Sequence, residues 1–245
     1  MTFCQCGHGT HIGKVRVDNE DNYAINVDIG FCVLADGMGG HDGGEIASQI
    51  VVDCVSADIH DGKMIPDALV NAHRQVLEAA KNGKGRKGMG STAVAIKLDA
   101  EKFEIAWIGD SRAYCWDGKE LIQLSKDHTL VQSMVDEGTI TLEEASKHPK
   151  RNYLTQSLGM SDIHIMEVGH GQGNLYRHYQ FLLCSDGLSD EVTNSEIIEI
   201  FKMEINEQQK TDLLLQRAVD NGGSDNITVV LISAPDTAPE TAPAQ

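Results

Sequence analysis

The chain has 245 residues, 41% of them hydrophobic, and a formal net charge of −17 at pH 7. That length and apolar content suit one sizeable domain with a real core. So acidic a balance argues against a nucleic-acid partner, and it repels anionic substrates at long range unless bound cations invert the local field. No apolar run reaches a membrane span, and no charged stretch followed by an apolar one opens the chain. Neither a transmembrane helix nor a signal peptide is therefore expected, and no membrane association. Cys32, Cys54, Cys115 and Cys184 stand in apolar contexts and read as reduced core thiols of a cytoplasmic protein.

Cys4, Cys6, His8 and His11 come first. Their Cys-x-Cys-x-His spacing invites a zinc reading, but no second pair follows at finger spacing, and an edge strand is the better expectation. Arg16 then precedes the polar cluster Asn19, Glu20 and Asp21. Tyr23 to Asp28 reads as a strand, with a turn at Asp28 to Gly30. Phe31 to Ala35 reads as a buried strand ended by Asp36, after which five of the next eight residues are glycine. Glycine lets backbone approach a ligand closely, and a helix follows from about Glu45. A second helix is expected from Pro66 to Lys81, then a glycine- and lysine-rich loop over Asn82 to Gly88.

Four short strands are predicted next: Ser91 to Leu98, Lys102 to Trp107, Ala113 to Trp116 and Glu120 to Leu124. Asp117-Gly118 supplies a hairpin turn, and Gly109-Asp110-Ser111-Arg112 places another acid at a strand end. Asp127 to Gly159 has short helical patterns, at Leu130 to Glu137 and Leu142 to Lys147, with few apolar anchors, as expected of a helical flap. Strands are predicted again at Ile163 to Val168 and His178 to Cys184, the latter followed by Ser185-Asp186-Gly187. Helices near Ser195 to Glu204 and Glu207 to Asn221 lead to Ser224-Asp225-Asn226 and a last strand, Ile227 to Ile232. The domain is expected to span 1–233, with a disordered tail over 234–245.

Asp36, Asp110, Asp186 and Asp225 each flank an apolar strand beside glycine or a small polar residue. Half-buried carboxylates brought together repel one another and take up protons unless cations hold them. Oxygen donors without paired Cys or His favour hard ions such as Mg²⁺ or Mn²⁺. The bland alternative is four independent turn and capping residues.

The motifs together resemble the metal-dependent PPM (type 2C) Ser/Thr protein phosphatases, in their bacterial form. The likeness runs from about Gly9 to Ile232. It rests on Arg16-x-x-Asn19-Glu20-Asp21, Asp36-Gly37-Met38-Gly39-Gly40-His41, Gly90-Ser91-Thr92, Gly109-Asp110-Ser111-Arg112, Asp127-His128-Thr129, His148-Pro149-x-Arg151-Asn152, Ser185-Asp186-Gly187 and Ser224-Asp225-Asn226-Ile227-Thr228. No one motif decides; their number, order and spacing do.

The resemblance implies an α+β fold: a four-layer α-β-β-α sandwich of two antiparallel sheets flanked by helices, with a binuclear metal centre at one end. By position, Asp36 would bridge two Mn²⁺ or Mg²⁺ ions, the Gly37 carbonyl would bind one, and Asp186 and Asp225 the other. Glu20 and Asp21 would hold metal-bound waters, and Arg16 would clamp the substrate phosphate. Asp110 and Asp186, with Asp190, match a third, weaker metal site of bacterial relatives. Two metals about 4 Å apart turn a bridging water into hydroxide near neutral pH, which attacks phosphorus without a phosphoenzyme. Met38 stands where many eukaryotic members carry a histidine proposed as general acid. Either a metal-bound water or His41 would then protonate the leaving group, and His41 serves equally well as a structural residue at the helix start. His148 and Arg151 in the flap are candidates to touch substrate or to pin the loop.

The implied function is hydrolysis of phosphoserine and phosphothreonine on proteins, opposing a bacterial Ser/Thr kinase. Rival readings are a catalytically silent phosphoprotein-binding module and a hydrolase of small phosphate esters. No exposed apolar stripe stands out, so a monomer is expected.

Overall fold

The computed structural model describes residues 4–40, 43–161 and 166–240. Its first elements are β1 (Cys6–His11), β2 (Asp21–Asn26), β3 (Phe31–Met38), α1 (Gly43–His60) and α2 (Ile65–Lys81). Then come β4 (Gly90–Ser91), β5 (Ala93–Leu98), β6 (Lys102–Ile108), β7 (Arg112–Trp116), β8 (Leu121–Gln123), α3 (Leu130–Asp136) and α4 (Leu142–Ser146). The last are β9 (Gly169–Asn174), β10 (Gln180–Cys184), α5 (Asp186–Ser189), α6 (Asn194–Phe201), α7 (Glu207–Asn221) and β11 (Ile227–Ser233).

The strands form two antiparallel sheets. One has the order β1-β11-β10-β7-β8; the other runs β2-β3-β5-β6-β9, with β4 paired to β3. β1 is an edge strand, as its sequence leads one to expect. Helices α1 and α2 cover the second sheet, and α6 and α7 cover the first. This is the four-layer sandwich.

Alternation along the strands explains why they read as continuous apolar runs. Side chains of a strand point to opposite faces in turn, and here both faces are covered. In β3, Phe31, Val33 and Ala35 pack towards α1 and α2, while Cys32 and Leu34 pack between the sheets. In β11, Ile227, Val229 and Leu231 face α6 and α7, while Val230 and Ile232 face the other sheet. The inter-sheet layer is aliphatic along most of its length, with Val94, Ile96, Ile105 and Leu183 fully buried.

Two expectations are corrected. The strand placed at 163–168 is not there in its described part: residues 166–168 carry no strand, and the strand begins at Gly169. The rest of that stretch, 162–165, lies outside the described residues. β9 reads Gly-His-Gly-Gln-Gly-Asn, which has no apolar signal, because the rings of its neighbour fill the space a side chain would need. A Cβ on Gly169 would lie 2.1 Å from the Trp107 ring and one on Gly173 would lie 2.6 Å from the Phe103 ring. The disordered tail expected from Ala234 is also corrected over 234–240. Ala234 donates its N–H to the Tyr179 carbonyl at 2.8 Å, Ala238 is buried in the inter-sheet core, and Arg177 pairs with Glu240 at 3.1 Å. Small side chains let that segment lie against the sheet end.

Candidate active site

At one end of the sandwich the inter-sheet layer turns polar without breaking its alternation. Two residues beyond Leu34 stands Asp36; two before Val94 stands Thr92; two beyond Leu183 stands Ser185; two before Val230 stands Thr228. Asp21 and Asp36 are directly opposed in the β2–β3 register, so their side chains leave the sheet on the same face. Arg16, Glu20, Asp36, Gly37, Asp110, Asp186 and Asp225 line a single cavity of about 320 Å³ at this end. Of the residues singled out in the sequence, these seven share one cavity, while Asp190 lines the neighbouring one.

Backbone and hydroxyl groups fix Asp36. Its N–H donates to Thr92 Oγ1 at 3.0 Å and its carbonyl accepts from Ser91 Oγ at 3.0 Å. Thr92 Oγ1 in turn lies 2.7 Å from Ser111 Oγ. Asn226, buried, ties the loop carrying Arg16 to β11. Its Oδ1 accepts from the Glu20 N–H at 2.9 Å, and its Nδ2 donates to the carbonyls of Ile12 and Asp18, each at 3.0 Å. The Glu20 carboxylate accepts from the Gly44 N–H at the start of α1, an approach that leaves no room for a side chain on Gly44. Thr92, Ser111, Ser185, Asn226 and Thr228 had no role assigned from sequence. Their two-residue offset from inter-sheet apolar positions was the signal available for Thr92, Ser185 and Thr228.

The electrostatics are those of crowded acids. Burial, and then Asp21, Asp186, Asp110 and Asp225, push the Asp36 carboxyl well above the usual range. Burial, then Asp110 and Asp190, do the same to Asp186. Asp110 rises to about 7, through burial and then Asp127. Asp21 rises to about 6, chiefly through burial, against hydrogen bonds from Thr228 and Ser185. One oxygen of Asp21 and one of Asp186 are buried without a hydrogen-bond partner, which is costly for a carboxylate. Among the described residues, the one cation lining the cavity is Arg16, which pairs with Asp225 at 2.6 Å.

Among the described residues, no three His, Cys, Asp or Glu side chains stand ready-made around one point as a metal shell. What the cleft offers is an all-oxygen donor set, crowded carboxylates and unsatisfied buried oxygens. That set fits hard divalent cations, with water completing their coordination. At the N-terminus His8 bonds Tyr23 through Nδ1, and His11 Nδ1 accepts from the Gly13 N–H.

The flap closes one side. α3 and α4 cover a second cavity of about 240 Å³, which shares Asp110, Asn152 and Asp186 with the first. Arg112 holds the root of the flap by a forked ion pair with Asp127, at 2.7 and 3.0 Å to Oδ2 and 3.1 Å to Oδ1. Further along, Arg151 reaches Asp190 at 3.6 Å and Asn152 donates to Asp190 at 3.2 Å. Arg151 therefore borders the cleft and ties the flap to the α5 turn. His148 does not line either cavity; its Nδ1 accepts the Lys150 N–H in a local turn. His41 lies outside the described residues.

Comparison with known proteins identifies the family. The family model "Protein phosphatase 2C" matches residues 9–218. The chain is 37% identical over 235 residues to the serine/threonine protein phosphatase PstP of Mycobacterium tuberculosis, covering 91% of this chain and 44% of that protein. It spans less than half of PstP but 93% of the serine/threonine phosphatase stp of Listeria monocytogenes, to which it is 33% identical over 236 residues. Among solved structures, the M. tuberculosis phosphatase PstP/Ppp superposes with a TM-score of 0.87 at 33% identity, over 95% of this chain and 99% of the other. The PstP catalytic domain in complex with 2 manganese ions superposes with a TM-score of 0.85 at 32% identity, over 96% of this chain and all of the other. The chain therefore belongs to the protein phosphatase 2C family of serine/threonine protein phosphatases.

Proposed function

We propose that this protein removes phosphate from phosphoserine and phosphothreonine in other proteins, using two Mn²⁺ or Mg²⁺ ions held in the acidic cleft. The observation that carries this reading is the crowding of Asp36, Asp186 and Asp110 in one cleft, all raised above the usual carboxylate range, with Arg16 the lone lining cation among the described residues. In this reading Asp36, the Gly37 carbonyl, Asp186 and Asp225 hold the two ions. Asp110 and Asp186, with Asp190, hold a third and weaker one. Glu20 and Asp21 hold waters that complete the coordination. Bound there, the cations supply a water acidic enough to act near neutral pH and positive charge for the phosphoryl oxygens.

The chain's own groups do the rest. Arg16 is half exposed, on the loop pinned by Asn226. In this reading it takes two phosphoryl oxygens with its planar fork. The phosphate competes with Asp225 for that guanidinium, so substrate binding and release of the Arg16–Asp225 pair go together. The Met38 thioether has no proton to give, so the leaving oxygen takes its proton from water or from His41. The flap, held to Asp190 through Arg151 and Asn152, borders the path of the polypeptide that carries the phosphorylated residue.

The same reading places the protein in the cytoplasm as a monomer, opposing a Ser/Thr kinase. Among the described residues no helix is long and apolar enough to cross a membrane. The deciding experiment is hydrolysis of a phosphothreonine peptide by metal-stripped protein with and without Mn²⁺, beside Asp36→Asn. Activity that requires the metal and disappears in the variant is the expected result. Activity without metal, or undiminished in Asp36→Asn, overturns the mechanism; metal binding without turnover points to a silent phosphoprotein-binding module.

A further inference from the structure

Asp21 is held by one oxygen only. Its Oδ2 accepts the hydroxyl protons of Ser185, at 2.9 Å, and Thr228, at 2.7 Å, while its Oδ1 is buried with no partner. The direction of this network follows from what each group can give. Asn19 Nδ2 can only donate, and it donates to Thr10 Oγ1 at 2.8 Å. The single hydroxyl proton of Thr228 goes to the carboxylate, so across the 2.8 Å contact between Thr10 and Thr228 the Thr10 hydroxyl is the donor. Ser185 Oγ, having given its proton to Asp21, accepts the Thr228 N–H at 2.9 Å. Every donor in the relay from Asn19 through Thr10 and Thr228 ends on the same oxygen of Asp21.

The clamp comes from the opposite sheet. Ser185 follows β10 and Thr228 lies in β11, whereas Asp21 opens β2 and faces Asp36 in register. A carboxylate fixed through one oxygen by two hydroxyls cannot swing, and its second oxygen keeps one setting relative to Asp36. We propose that Ser185 and Thr228 are positioning residues which hold Asp21 by Oδ2 and so reserve Oδ1 for the water shell of a divalent cation, setting the cation affinity of the cleft. This rests on, and deepens, the two-cation phosphatase reading. Residues that orient metal ligands from behind typically change metal affinity by about 10- to 100-fold when removed.

Thr228→Val keeps the side-chain shape and deletes the hydroxyl. Thr228→Ser restores it, and Thr10→Val removes only the donor one step back. Mn²⁺ binding to the metal-stripped full chain is measured by calorimetry. Two further readouts are the melting midpoint of the metal-free protein and the Mn²⁺ concentration giving half-maximal phosphopeptide hydrolysis. Thr228→Val should bind Mn²⁺ about tenfold more weakly, with half-activation shifted to match and the plateau rate falling less. Thr228→Ser should bind as wild type does, and Thr10→Val should lie between. Unchanged Mn²⁺ affinity in Thr228→Val, beside a lowered melting midpoint, overturns the proposal and leaves the clamp a pin between sheets. If Thr228→Val does not fold, Thr10→Val decides by the same readout: weakened affinity supports the clamp, unchanged affinity overturns it. Because affinity is read without turnover, failure of the phosphatase reading leaves this result standing. Wild-type protein that binds no Mn²⁺ overturns both.

Discussion

Asp36-Gly37 and Asp186-Gly187 are the same dipeptide at the end of an interior strand in each sheet, yet the chain leaves them differently. β3 carries on past Asp36, and Gly37 pairs with Ser91 of β4 before the chain turns towards α1. After β10, Asp186 is already the first residue of the short α5 turn. A strand delivers one carboxylate and a helical turn delivers the other. The glycines share a reason that has nothing to do with unusual dihedrals, since neither is at positive φ. A Cβ on Gly37 would lie 2.1 Å from the Gly44 carbonyl oxygen and 2.7 Å from that of Glu20. A Cβ on Gly187 would lie 2.0 Å from the Asn226 carbonyl oxygen. Glycine at both steps lets another backbone pass directly behind the acid.

The largest expected effect tests whether the two acids are equivalent. Asp36→Asn and Asp186→Asn should each lower phosphopeptide hydrolysis on the order of 10³-fold, about 4 kcal/mol of lost electrostatic stabilisation. Both should raise the melting midpoint of the metal-free protein near neutral pH, because each removes a carboxyl that ionises in the unfolded chain but that burial and its neighbours keep from ionising in the fold. An opposite sign in the two melting shifts would break the equivalence. Next in size are the glycines. Gly37→Ala meets two carbonyls from separate segments and Gly187→Ala meets one, so both should lose about 2–3 kcal/mol in chemical denaturation, Gly37→Ala the more.

The acids also set a pH dependence. Asp21 and Asp110 rise to about 6 and about 7 in the fold, against an ordinary carboxyl value near ~4 in the unfolded chain. The folded state therefore binds their protons more tightly, and the contribution of these groups to stability is present below ~4 and lost as pH rises through about 7. Metal-free protein should melt on the order of 5 °C lower at pH 8 than at pH 5, and saturating Mn²⁺ should remove most of that difference. A metal-free midpoint that climbs over the same range would refute it. The smallest effect concerns the contact made only on the Asp186 side. Arg151→Ala breaks an exposed ion pair with Asp190 and should cost under about 1 kcal/mol in stability. Its mark should appear in rates on a phosphoprotein and be absent on a small aryl phosphate.

Much of this was legible in the residues. Phe31 to Ala35 and Ile227 to Ile232 announce buried strands because both their faces are covered, and Asp36, Asp186 and Asp225 announce themselves by ending or preceding such runs. β9 was illegible because the volume its glycines leave empty is filled by Trp107 and Phe103 of β6, so its signal is written in another strand. The roles of Ser185, Asn226 and Thr228 were hidden for a different reason. A hydroxyl or amide next to an acid looks like turn chemistry until the opposite sheet is in place.

Among the described residues β1 pairs with β11 alone, and the hydroxyl contact between Thr10 and Thr228 spans 218 positions of sequence. The two strands are thus far apart in sequence and adjacent in the sheet. Asp225 precedes β11 and Thr228 lies in it, so completing the cleft depends on this long-range pairing. A chain lacking β11 would keep Asp36, Asp110 and Asp186 but would lack Asp225 and the Thr228 hydroxyl that holds Asp21.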